Sequence, residues 1–230
     1  MRLALILILA VFLGLLGQNG AADAGAWPRG EGKFFFALSQ DQTERQLYAE
    51  YGFRGDWTLG LEVTQPTGRR LPAVAGFVHH PVLRFKNGAI VSAGLAVEWR
   101  ETVAAKSWAY MAGIQEVAVR GGLHFGTGFA TRWGDGWATA EAQVERIVTE
   151  NWLGAAQSAK LDLGLGLRPT DRLMLMVQAQ GWRRQGSDPV LRLETLVGWK
   201  LGPAHLVLVP SAGMIGPREP RVKLGLWLEF

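Results

Sequence analysis

Cysteine is absent from all 230 residues. That excludes a disulfide framework, and with no cysteine after the N-terminal apolar run it also excludes a lipid-modified N-terminus. Long apolar runs are missing as well. Beyond Leu16 no stretch approaches the roughly twenty residues that a membrane-spanning helix needs, so a chain that enters a membrane must do so as a closed barrel of strands. A dominant charge is also lacking. The formal net charge is +4 and the pI about 9.7, a balance that gives no reason to invoke nucleic acid as a partner.

What is present begins with a short cationic start, Met1-Arg2, an apolar run of about fourteen residues (LALILILAVFLGLL), and small residues at Ala-x-Ala spacing in GQNGAADAGA. Together these form a secretory signal peptide over residues 1–26, with cleavage expected after Ala24 or Ala26. The remainder, 27–230, is long enough for one domain. Thirty Gly, ten Trp and ten Phe suit an all-β chain, either a transmembrane barrel or a soluble periplasmic β-protein.

Alternation with period two separates these. WTLGLEVT sets Trp57, Leu59, Leu61 and Val63 on one face; KLDLGLGLR sets Leu161, Leu163, Leu165 and Leu167; LRLETLVGWK sets Leu191, Leu193, Thr195, Val197 and Trp199. The opposite faces carry glycine and both signs of charge. A soluble sandwich would fill its inner face with bulky side chains, whereas a face of this kind suits the lumen of a barrel whose outside meets lipid.

Turn signals predict about twelve strands, near 33–40, 45–54, 57–65, 73–85, 88–101, 115–127, 136–149, 156–169, 172–184, 188–200, 204–213 and 221–230. With the first strand rising from the periplasm, the periplasmic connections are RGD (54–56), KNG (86–88), the stretch near GFATRWGDG, PTD (169–171) and LGP (201–203). The intervening connections, among them TQPTGRRLP and TVAAKSWAYMAGI, are mostly longer and more polar, as extracellular loops are. Phe53, Trp57, Phe85, Trp199 and Phe230 fall on one predicted girdle, with Trp99 and Trp152 toward the other.

The last segment, KLGLWLEF, resembles the C-terminal signature of Gram-negative outer-membrane β-barrels, an alternating apolar strand ending in an aromatic residue. Val222, Leu224, Leu226, Leu228 and Phe230 carry the pattern. YGFRGDWTLGLE and LRPTDRLMLMVQ are similar to the strand, Asp-containing turn, strand units of such proteins. The resemblance implies a single up-and-down barrel in the outer membrane of a Gram-negative bacterium, with lipid and lipopolysaccharide around it. It also implies recognition of Leu224, Leu226, Leu228 and Phe230 by the barrel-assembly machinery. It singles out no functional family and leaves the oligomeric state open.

Chemistry is sparse. Outer-membrane phospholipases and lipid A deacylases place His and Ser two positions apart on one strand face, and no His-x-Ser occurs here. A Ser–His pair across strands is the remaining route to an enzyme. His79 and His80 are neighbours and point to opposite faces of a strand, so they do not share a metal; His80 and His124 could both face the lumen, without a third ligand. No cofactor or metal is expected.

The lumen is therefore the informative surface. Alternation places Glu50, Glu62, Arg84, Glu98, Arg100, Glu116, Arg120, Glu141, Glu145, Lys160, Asp162, Arg168, Arg192, Glu194, Lys200, Lys223 and Glu229 inside. Unpaired charges shut off from water are costly, so these are expected to pair across strands. They either line a narrow polar channel or fill it as a rigid plug. Arg69, Arg70, Lys106, Arg183, Arg184, Arg218 and Arg221 lie in or beside the extracellular connections, where guanidinium forks match the phosphates of lipopolysaccharide. The expected function is a small passive channel for polar or charged solutes. The alternatives are a lipid A or phospholipid-modifying enzyme and a closed structural or assembly barrel.

Overall fold

The computed structural model describes residues 26–69, 71–102, 114–149 and 157–230. Residues 1–25 of the expected signal peptide, Arg70, Lys106 and Trp152 lie outside them. Twelve strands follow one another: β1 (Phe34–Gln40), β2 (Glu44–Gly52), β3 (Thr58–Pro66), β4 (Ala73–Arg84), β5 (Ile90–Thr102), β6 (Ile114–Thr131), β7 (Gly134–Ile147), β8 (Gln157–Thr170), β9 (Leu173–Arg184), β10 (Val190–Leu201), β11 (Ala204–Ile215) and β12 (Arg221–Glu229). Each pairs antiparallel with its chain neighbours, and β1 closes on β12, so the sheet is a barrel without an edge. Among the described residues, the one helical element is the 3-10 turn Arg54–Asp56.

Closure depends on the ends of the chain. Phe34 and Phe230 exchange both backbone hydrogen bonds, at 2.8 and 3.1 Å, and their rings stack with centroids 5.8 Å apart. Both barrel termini therefore lie at one end, here the terminal end, together with the turns at 53–57, 85–89, 132–133, 171–172 and 202–203. At the opposite, far end the β1–β2 connection is tight. Asp41 Oδ1 accepts from the Thr43 amide (2.6 Å), the Thr43 hydroxyl (2.8 Å) and the Glu44 amide (2.9 Å). Partial burial pushes the Asp41 carboxyl up, but these donors outweigh it and hold the group below its ordinary range.

The outer surface is apolar. Leu59, Leu61, Leu95, Val97, Leu123, Val144, Leu161, Leu165, Leu193, Leu206, Leu208 and Leu224 are all exposed. Phe53, Trp57, Phe85, Trp133, Trp199 and Phe230 stand exposed at the terminal end, where an aromatic belt bridges apolar chain and water.

One connection departs from the sequence expectation. GFATRWGDG reads as a loop because of its glycines, yet β6 runs on to Thr131 and β7 starts at Gly134, leaving only Arg132-Trp133 as the turn. Gly134 takes a positive φ of 125° against the Arg168 carbonyl, while Gly136 and the nearby Gly126 make room for rings. A Cβ on Gly136 would stand 2.3 Å from Phe129, and one on Gly126 would stand 2.5 Å from Trp27. Gly166 and Gly60 likewise accept Trp137 and Phe77, at 2.1 and 1.9 Å. Glycine in a strand here marks a close approach rather than a turn. A direct test is the contrast between two glycines. Gly166→Ala forces Trp137 from its seat and is expected to destabilise the barrel by about 2 kcal/mol, whereas Gly121→Ala, with nothing within 4 Å, is expected to be neutral in urea unfolding of the refolded protein.

Candidate functional site

The lumen holds a cavity of about 540 Å³. Its wall is not uniformly polar. Trp137, Met174, Leu196, Val207 and Val209 form a buried cluster, with Trp27, Met176 and Trp227 packed on it. Val207 and Val209 were invisible to alternation because β11 reads apolar on both faces, with Leu206 and Leu208 exposed outside. Phe35, Tyr48 and Phe77 extend the aromatic wall, and Tyr48 donates its hydroxyl to Glu50 Oε1 at 2.6 Å.

Charges on the β3–β7 side are tightly knit. Arg100 reaches Glu98 (3.1 Å), Glu116 (3.5 Å) and Glu145 (2.9 Å), and Arg120 reaches Glu62 (3.1 Å) and Glu98 (3.5 Å). Glu62 and Arg120 sit on strands separated by β4 and β5, so their contact exists only because the sheet curves. Across the lumen Lys160 pairs with Asp162 at 2.8 Å, and Gln178 adds a bond to the same carboxylate at 3.4 Å. Glu194 accepts from Gln180 at 3.1 Å, and Arg192 donates to Ser211 at 3.0 Å. Lys223 reaches Gln46 at 3.1 Å. Glu141 accepts from Gln143, and Arg168 lies over the Trp137 ring at 5.5 Å.

Three sequence expectations are revised. Arg84 keeps the inner face, opposite the buried Ile90, but as the last residue of β4 it stands at the terminal rim rather than on the cavity wall, and pairs with Asp56 at 2.6 Å. His79, not His80, faces the lumen. Pairing of Thr58 with His79 fixes that parity, and His80 turns outward onto Trp57, with ring centroids 4.5 Å apart. Lys200, also expected inside, is exposed at the same rim as Arg84, opposite His205 in the β10–β11 register.

The strand register does bring a serine beside a histidine. Ser92, His124 and Glu141 are successive cross-strand partners on the lumen face, and His124 Nδ1 lies 3.3 Å from Glu141 Oε2. The nucleophile's half is not assembled, however. Ser92 is fully buried and its hydroxyl donates to the Ala26 carbonyl at 2.6 Å, while His124 Nε2 points at Gly94, whose Cβ would stand 3.0 Å away. A base must reach the proton it removes, and this one leans away. No group of three or more metal-binding side chains occurs among the described residues.

Sequence reading missed the segment before β1 altogether, since it has no periodicity. Ala26 to Lys33 crosses the terminal mouth. Trp27 packs on the apolar cluster, the Arg29 amide donates to Thr58 Oγ1 at 2.9 Å, and the Arg29 guanidinium binds Glu50 through Nε and Glu229 through Nη1. Arg29 and Glu229 line both the main cavity and a smaller one of about 220 Å³ beside Phe230. The segment thus stands between the two.

Comparison with solved structures is informative at the level of the fold. The NanC porin superposes with a TM-score of 0.64 at 8% identity, covering 85% of this chain and 98% of that one. The KdgM porin in complex with disordered oligogalacturonate gives 0.59 at 9% identity, covering 86% and 99%. The fold is that of small outer-membrane porins. No protein-family model and no curated protein matches the sequence.

Within this porin-type barrel the loop cations are placed variously. Arg69 donates to the Glu101 carbonyl at 2.6 Å and Arg183 to the Ser187 carbonyl at 3.4 Å. Arg184 and Arg218 are exposed at the far end, and Arg221 bonds Thr43 at 3.2 Å. Removing the most heavily shared lumen cation gives a clear expectation. Arg100→Met removes the guanidinium that Glu98, Glu116 and Glu145 share, leaving Arg120 beside Glu98, and is expected to lower stability by about 3 kcal/mol, measured as the urea midpoint of the protein refolded in vesicles.

Proposed function

We propose that this protein is a small outer-membrane channel, its N-terminus periplasmic, that passes polar or charged solutes through a lumen of mixed charge. The observation that carries the reading is a polar and aromatic cavity of about 540 Å³ inside a closed barrel with an apolar exterior. Paired charges of both signs let a polar solute exchange hydration for wall contacts without falling into one deep site, which conduction requires. Passage at the periplasmic end depends on movement of the segment from Ala26 to Lys33.

The segment also favours a second reading, a closed barrel with a structural role. Exposed Arg184 and Arg218, with Arg183, fit contact with lipopolysaccharide phosphates. Leu224, Leu226, Leu228 and Phe230 fit recognition by the assembly machinery.

Planar-bilayer recording of the refolded mature chain tests the channel. Discrete current steps are expected; silence accompanied by release of fatty acid from lipid would favour the enzyme alternative. Deleting Phe230 removes the two backbone bonds to Phe34 and is expected to reduce membrane assembly in cells severalfold, measured as heat-modifiable protein in the membrane fraction. Normal assembly of that truncation would argue against the signal.

A further inference from the structure

The side chain that fills the terminal mouth is itself a ligand in a built site. Arg29 has its guanidinium held by two carboxylates from opposite sides of the barrel seam, Glu50 on β2 and Glu229 on β12. The plane of the group lies over the Phe35 ring, 4.4 Å from the centroid. Glu50 is nearly inaccessible to solvent, at 4% exposure, and its second oxygen accepts the Tyr48 hydroxyl. Carboxylates on two sides and an aromatic face on a third are the elements of a cation cage.

The rest of the segment is arranged around that anchor. Gly30 leaves the cage against bare backbone: a Cβ on Gly52 would stand 2.0 Å from the Gly30 oxygen. The Gly32 amide then donates to the Gly52 carbonyl and the Lys33 amide to the Gly30 carbonyl, both at 2.9 Å, which delivers the chain to the start of β1. On the other side of Arg29, Trp27 lies against Gly126 and Ala26 meets Ser92. The segment therefore spans the mouth from β2 to β6. Both expected cleavage positions, after Ala24 or Ala26, leave Trp27 and Arg29 in the mature chain.

We propose that Glu50, Glu229 and Phe35 form a cation-binding site at the terminal mouth of the lumen, which the chain's own Arg29 occupies to hold the mouth shut and which accepts free guanidinium-type organic cations once Arg29 leaves. The inference rests on the channel reading for its effect on current, but the site and the latch stand on contacts alone. An anion cannot replace Arg29, because it would meet two carboxylates with their counter-charge removed.

Two measurements on the refolded mature chain test this. Hydrogen exchange reads the segment directly, since the Arg29, Gly32 and Lys33 amides are all bonded. In Arg29→Ala the peptide covering 27–33 is expected to exchange about tenfold faster or more, and millimolar methylguanidinium is expected to restore protection where an equal concentration of sodium does not. In bilayers the same variant is expected to conduct severalfold more than wild type, with methylguanidinium reversing the gain. Glu229→Gln, which removes one anchor without leaving a buried charge alone, is expected to fall between the two.

Unchanged protection of residues 27–33 in both variants would overturn the latch. Loss of protection that methylguanidinium does not restore would overturn the cation site. Restored protection with no current from any variant would leave the site standing and remove the channel reading instead.

Discussion

Everything in this protein depends on the ladder between β1 and β12. In hydrocarbon no water is available to satisfy a backbone amide or carbonyl, so a sheet that spans a membrane must leave no edge. The pairing of Phe35 with Glu229 through Gln40 with Leu224 supplies that closure between the two ends of the chain. The bonds between Phe34 and Phe230 finish it. Once the sheet is closed, its two faces become an inside and an outside, and the alternation of side chains along each strand acquires a meaning.

The inside is then a confined space that must be filled by compatible groups. Two devices accomplish this. Aromatic rings lie flat against glycines on neighbouring strands, as Trp137 does on Gly166 and Phe77 on Gly60, so bulk on one strand is matched by its absence on the next. Charges are gathered around guanidinium groups that each serve several carboxylates, as Arg100 serves Glu98, Glu116 and Glu145. Shared in this way, burial of each carboxylate is offset without a cation of its own. The same logic extends to Arg29, which comes from outside the strands and still completes a pair of lumen carboxylates.

Much of the barrel was legible. WTLGLEVT and KLDLGLGLR display their faces plainly because one face is apolar and the other is not. Legibility failed where that contrast vanished. Val207 and Val209 lie inside while Leu206 and Leu208 lie outside, and hydropathy alone cannot tell them apart. It failed at His80 because the bulge between Pro81 and Leu83 lets His79 and Arg84 share the inner face, and at Arg84 because the strand ends there, which leaves the residue at the rim. GFAT in β6 was hidden by the glycines around the turn, of which Gly136 on the facing strand admits the Phe129 ring.

Local chemistry along the chain was sufficient to determine the strand count, the apolar exterior and the ends that meet, because period two, turn residues and a terminal aromatic are properties of short segments. Which carboxylate holds which guanidinium was decided only by the tertiary structure. Glu62 and Arg120 are 58 residues apart in sequence, and Arg29 and Glu229 are 200 apart. Their meeting depends on register, curvature and closure, which are properties of the whole barrel. For the same reason, a segment without periodicity between an expected signal peptide and the first strand became legible as the stopper of the terminal mouth only when the mouth itself had been formed.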